Sequence, residues 1–87
     1  MRNEKSDRMC CFPRNVAGRI LDYDNDNQEM PTKIFEMGLL PETRFVILYQ
    51  APFKGPLYIE FGEERTRVAL REEEAQYILV EPLIDAE

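Results

Sequence analysis

The sequence contains no histidine and only one serine, Ser6. These absences exclude Ser-His-Asp and Cys-His catalytic pairs and every zinc site that needs histidine. The four glycines, at positions 18, 38, 55 and 62, lie too far apart to form a phosphate-binding loop. An enzyme would need a site made entirely of carboxylates, so we predict that the protein is not an enzyme.

Cysteine is nearly absent, and the two that occur, Cys10 and Cys11, are adjacent. A disulfide between neighbouring residues is strained, because ordinary disulfides join Cα atoms further apart than one peptide unit favours. We predict two reduced thiols in a loose N-terminal segment. The alternative is a soft-metal or redox site, which in this interpretation would need ligands from a second chain.

Long hydrophobic runs are also missing. The longest apolar run spans residues 45–49, far below the ~20 residues of a transmembrane helix. Residues 1–12 are polar and charged and do not resemble a secretory signal. The sequence therefore predicts a cytoplasmic protein with no direct membrane insertion.

The 87 residues, of which 44% are hydrophobic, fit one small globular domain. The net charge is −6, and all of the acidic excess lies after residue 15. Nucleic acid is a poor partner for such an acidic domain, because proteins bind nucleic acid by neutralising its phosphates with Lys and Arg. We predict no nucleic-acid partner.

Apolar Val16, Ile20 and Leu21 indicate a first strand at residues 16–23, and period-two alternation predicts four more, at residues 43–49, 57–61, 66–70 and 76–81. Pro31 and Gly38 bracket one short helix between the first two strands. We expect residues 1–14 to be a flexible leader and residues 15–84 to form a small, partly open β-barrel. Its predicted core is Ile47, Leu57, Ile59, Val68, Leu70 and Ile78.

Two acidic clusters are candidate sites for a divalent ion. Residues 22–26 begin like a calcium loop, but Asn27 replaces the required Gly and Lys33 the required Glu. Glu72, Glu73 and Glu74 fit an exposed helical turn. Weak binding of a divalent transition metal ion such as Fe²⁺ remains the alternative, and no metal ligand can be named.

Three groups of residues, taken in order, resemble the FeoA family of ferrous-iron-transport accessory proteins. The similarity covers residues 16–82 and includes Met37-Gly38-Leu39-Leu40-Pro41, Ala51-Pro52 with Gly55-Pro56, and Val68-Ala69-Leu70-Arg71 with Glu74-Ala75 and Ile78. This resemblance implies an SH3-like barrel with a short helix between its first two strands. It also implies a cytosolic, non-enzymatic partner of the iron permease FeoB, held at the inner membrane through that permease.

The segment between the second and third predicted strands is the candidate partner-binding loop. Its proline residues fix φ and lack a backbone donor, so the loop should be stiff and lose little entropy on docking. Its candidate contact residues are Pro52, Phe53, Lys54, Gly55 and Pro56. The alternative is that Phe53 folds back and plugs the end of the barrel.

The predicted function is therefore that of an accessory protein of bacterial ferrous iron uptake that binds FeoB. Two alternatives stay open. One is a small metal-binding or metal-sensing module. The other is an SH3-like domain that serves an iron-dependent transcriptional regulator, which would need a separate DNA-binding chain because no recognition helix is present.

Overall fold

The computed structural model describes residues 7–24 and 32–83, and its main feature is one antiparallel sheet of six strands. The sheet order is β1-β6-β2-β3-β4-β5, so β1 and β5 form the two edges and the sheet stays open. The mainly β fold is confirmed, with one strand more than predicted. The strands are β1 Asp7–Arg8, β2 Ala17–Tyr23, β3 Arg44–Gln50, β4 Leu57–Phe61, β5 Thr66–Leu70 and β6 Ile78–Pro82.

Short helices connect these strands. A 3₁₀ helix covers Met9–Cys11, α1 covers Lys33–Met37 between β2 and β3, and α2 covers Glu72–Ala75. The predicted helix between the first two long strands is confirmed; its proposed start, Pro31, lies outside the described residues. Gly38 ends α1 in the left-handed conformation, with φ 97°, which a residue lacking Cβ adopts without strain.

The core lies on one face of the curved sheet and beneath the helices. Of the six predicted core residues, five are fully buried, and Val68 is partly buried against them. Alternation along β4 explains the pattern, since every second side chain points to the same face. The remaining buried apolar residues are Met9, Phe12, Ile20, Ile34, Leu39, Phe45, Phe61, Ala75 and Val80.

The N-terminal segment differs from the prediction. Residues 7–14 are not a loose leader, because Met9 is 0% exposed and Phe12 is 1% exposed. Strand β1 pairs with β6, placing Asp7 opposite Val80. The buried side chains of Met9 and Phe12, together with this strand pairing, hold the segment on the sheet. Residues 1–6 of the predicted leader lie outside the described part of the chain.

Gly18 explains how Phe12 fits into the core. A Cβ on Gly18 would lie 2.7 Å from Cζ of Phe45 and 2.9 Å from Cζ of Phe12. The two rings tilt against each other with centroids 5.2 Å apart. The missing side chain of Gly18 therefore creates the space in which both rings pack, as expected for a glycine at a close approach.

Candidate partner-binding surface

Residues 51–56 connect β3 to β4 and form a loop closed by its own hydrogen bonds. The N–H of Ala51 donates to the carbonyl of Pro56 at 2.9 Å. The N–H of Gly55 donates to the carbonyls of Ala51 and Pro52 at 3.1 and 3.2 Å. Backbone groups that bond within the loop hold its shape without help from a partner.

The centre of this loop adopts a backbone conformation that its residues disfavour. Phe53 and Lys54 have φ values of 60° and 57°, in the left-handed region. For residues with a Cβ this conformation costs roughly 1–2 kcal/mol each. Gly55 is required beside them, because a Cβ there would lie 2.8 Å from that of Ala51. Strain of this kind persists only where the surrounding structure imposes it, and it concentrates at functional sites.

The consequence of this geometry is that Phe53 points into solvent. Its exposed fraction is 99%, the highest of any large hydrophobic residue in the described ranges. The alternative that Phe53 plugs the end of the barrel is therefore wrong. Pro52 and Lys54 are also exposed, while Gly55 and Pro56 are half-buried at the base of the loop.

Two residues that the sequence did not single out support the loop from below. The Gln50 side-chain amide donates to the carbonyl of Gly55 at 3.0 Å. The Arg14 guanidinium donates to Oε1 of Gln50 and to the carbonyl of Phe12, both at 2.6 Å. Arg14 thus links the loop to the buried N-terminal segment. No local sequence pattern predicts this contact, because Arg14 and Gln50 lie 36 positions apart.

A pair of tyrosines lies on the strands that carry the loop. Tyr49 of β3 and Tyr58 of β4 are cross-strand partners, and their rings stack with centroids 4.8 Å apart. Tyr49 is 55% exposed and Tyr58 is half-buried, so the stacked pair lies at the surface. We call the loop 51–56 together with Tyr49 and Tyr58 the aromatic end of the domain.

The acidic clusters do not form a metal site in the part of the chain that the structure describes. Oε2 of Glu74 binds Nζ of Lys33 at 2.9 Å, and its Oε1 accepts the Arg71 N–H at 2.9 Å. Burial opposes ionisation of Glu74, yet these two donors lower the pKa of its carboxyl. Asp24 pairs with Arg8 at 2.6 Å. Residues 25 and 26 lie outside the described ranges, and residues 7–24 and 32–83 contain no cluster of three or more potential ligands.

An open cleft of about 800 Å³ lies at the opposite end of the β3–β4 hairpin. It forms between the start of β3 and the end of β4, and charged side chains of both signs line it, among them Glu42, Arg44, Glu63 and Arg65. This mixed lining contrasts with the aromatic end, where exposed rings dominate. Of the two, the aromatic end has the composition that protein interfaces favour at their centres.

A family model described as the FeoA domain matches residues 12–82, which is most of the chain. The chain belongs to the FeoA family. The match begins at Phe12, one of the buried residues of the N-terminal segment. No curated protein matches the sequence. No helix within the described ranges is long and apolar enough to cross a bilayer.

Solved structures share the fold. An FeoA-like protein from Clostridium acetobutylicum matches with a TM-score of 0.80 at 22% identity, over 98% of this chain and 95% of its own. FeoA from Stenotrophomonas maltophilia, solved with zinc and described as a prokaryotic SH3 domain protein, gives 0.69 at 22% identity over 86% and 89%. A manganese-dependent transcriptional repressor gives 0.80 at 17% identity, over 93% of this chain but 38% of its own. These likenesses establish an SH3-like fold for this FeoA-family chain.

Proposed function

We propose that this chain is a non-enzymatic accessory protein of ferrous iron uptake that binds the permease FeoB from the cytoplasmic side. Membership of the FeoA family, which is associated with ferrous iron transport, supports a role in ferrous iron uptake. The observation that carries the binding role is the exposure of Phe53 on a self-bonded loop. The proposed contact residues are those of the aromatic end.

The energetics favour Phe53 as the anchor of this contact. A phenyl ring that is 99% exposed can lose nearly all of its solvent contact when a partner covers it. Burying such a side chain contributes about 1.5–3 kcal/mol. Because the loop is already held by hydrogen bonds, little conformational entropy is lost on docking. Aromatic side chains, phenylalanine among them, are enriched at protein interfaces.

Lys54 adds a constraint on the partner. It is exposed next to Phe53, on a protein whose net charge is −6. A pocket that accepts the phenyl ring and carries a carboxylate at its rim would match both side chains. Such a rim contact would contribute mainly to the rate of association and to orientation, because exposed ion pairs contribute little affinity.

The test compares two phenylalanines of the same chain. Calorimetric titration of the soluble domain of the permease from the same organism should give a Kd that rises about 30-fold for Phe53→Ala, the equivalent of about 2 kcal/mol. Phe35→Ala is the matched control, since Phe35 is 44% exposed but lies on α1. Equal affinities for wild type and Phe53→Ala, or an effect confined to Phe35→Ala, would contradict the proposal.

Direct binding of a divalent transition metal ion is a second candidate, favoured by the zinc complex of the Stenotrophomonas FeoA. Titration with Fe²⁺ or Mn²⁺, followed by NMR line broadening, tests it. Broadening confined to one cluster of carboxylates would support a site, whereas weak, uniform, salt-sensitive broadening would indicate only attraction to an acidic protein. That the chain serves an iron-dependent transcriptional regulator stays a prediction, because its similarity to the manganese-dependent repressor is a similarity of fold alone.

A further inference from the structure

The two adjacent cysteines lie on an anchored turn rather than in a loose segment. Cys10 and Cys11 belong to the 3₁₀ helix Met9–Cys11, in which the N–H of Phe12 donates to the carbonyl of Met9 at 3.2 Å. Met9 and Phe12, on either side of the pair, are buried in the core. The backbone that carries both thiols is therefore fixed at both ends.

The side chains of this turn converge. The Sγ atoms of Cys10 and Cys11 lie 3.5 Å apart, and neither cysteine is in a disulfide. Cys10 is half-buried and Cys11 is exposed, so the sulfur pair is open to solvent on one side. Two sulfurs this close on a fixed backbone can bind one ion together once the exposed Cys11 side chain rotates, because a linear S–metal–S arrangement needs them further apart than 3.5 Å.

We propose that Cys10 and Cys11 form a two-thiolate site for a soft, thiophilic metal ion, with monovalent copper as its representative. Two S–H bonds lose their protons to solvent, two metal–sulfur bonds form, and no electron is transferred. Soft thiolate ligands select monovalent copper, and two of them are the smallest set that can chelate the ion. A second chain is then not needed to complete the site.

Harder ions fit this pair poorly. Structural zinc takes four ligands and hard cations take six or more, mostly oxygens. Within residues 7–24 and 32–83 no third Asp, Glu, Cys or His completes a cluster with the pair. The proposed ligand class is therefore narrower than that of a general transition-metal site, and it differs from the ferrous iron of the proposed function.

Charged groups on two neighbouring elements act on the site. Burial, together with the Cys11 thiol and the carboxylate of Glu72 on α2, raises the pKa of Cys10 to about 11, while Arg8 of β1 opposes this. One monovalent ion held by two thiolates is a net anion, so the Arg8 guanidinium favours occupancy of the site and the Glu72 carboxylate opposes it.

The experiment uses the reduced full chain and monovalent copper in competition with a coloured copper(I) chelator, without oxygen. We expect one ion per chain, and a loss of affinity of roughly 100-fold or more in Cys11→Ser, because one sulfur cannot chelate. Cys10→Ser should weaken binding similarly, with thermal unfolding recorded to confirm that each variant folds. Excess Zn²⁺ should leave copper occupancy unchanged.

Three outcomes would overturn the assignment. Either serine variant that folds and binds copper as tightly as the wild type shows that the sulfurs do not act as a pair. A ratio of one ion to two chains, measured by metal analysis across a size-exclusion peak, places the site between chains. Displacement of copper by Zn²⁺ shows a larger ligand set. None of these results depends on whether the chain binds the permease.

Discussion

The sharpest prediction of the fold concerns Phe12, a residue in a segment whose sequence suggests a loose leader. Phe12 is 1% exposed and its ring packs on Phe45 with centroids 5.2 Å apart. Replacing a core phenylalanine with alanine costs about 3–5 kcal/mol, since both transfer energy and packing are lost. A domain of this size has a total stability of only about 4–13 kcal/mol. We therefore expect Phe12→Ala to lose a large part of it.

The assay is urea unfolding, and the matched control is the same substitution at Phe53, which is 99% exposed. With a slope of about 1 kcal/mol per molar urea, the midpoint for Phe12→Ala should fall by about 3 M or more. Phe53→Ala should stay within about 0.5 kcal/mol of the wild type. Equal midpoints for the two variants would refute the placement of residues 7–14 in the core.

Two further predictions follow from single contacts. Gly18→Ala should cost about 1–3 kcal/mol and lower the Tm by several degrees, because its Cβ would overlap the rings of Phe12 and Phe45; an unchanged Tm would contradict that packing. Lys33 and a backbone N–H lower the pKa of Glu74 despite its burial. Because these contacts stabilise the ionised carboxylate, they stabilise the fold fully above the ordinary pKa of 4.5, and this stabilisation is lost as pH falls through the lowered pKa. Urea midpoints at about pH 6 and about pH 3 should therefore differ less in Glu74→Gln than in the wild type, and equal differences would exclude this linkage.

The sequence predicts the structure correctly where a local pattern sets it. In β4, Leu57, Ile59 and Phe61 alternate with more polar residues, and all three are buried on one face. The end of α1 was equally readable, because Gly38 is the residue type that takes the left-handed conformation there. Hairpins and helix ends depend on residues that are neighbours in sequence, so they can be predicted without knowledge of the tertiary structure.

The N-terminal segment could not be predicted in the same way. Residues 7–14 hold one short apolar group between charged residues, and Pro13 interrupts regular structure. The pairing of β1 with β6 depends on residues far apart in sequence, and so does the packing of the Phe12 and Phe45 rings over Gly18. A short apolar group such as Met9 to Phe12 has no periodicity, so only the folded sheet reveals where its side chains pack.

The partner loop was predicted in part. Pro52 and Pro56 correctly indicated a break between two strands. The direction of Phe53 could not be predicted, because it depends on left-handed φ values at Phe53 and Lys54 that neither residue type favours. Hydrogen bonds from Gln50 and within the loop impose that conformation. The feature that makes the loop a candidate interface thus arises from tertiary structure.

The proposal that the aromatic end binds the permease is tested most directly by mapping amide chemical shifts. The isotopically labelled chain is titrated with the unlabelled soluble domain of the permease, and the perturbed amides are placed on the structure. The proposal predicts that the largest changes fall on residues 51–56 and on Tyr49 and Tyr58. Changes centred instead on the cleft between the start of β3 and the end of β4, or no changes at saturating permease, would contradict it.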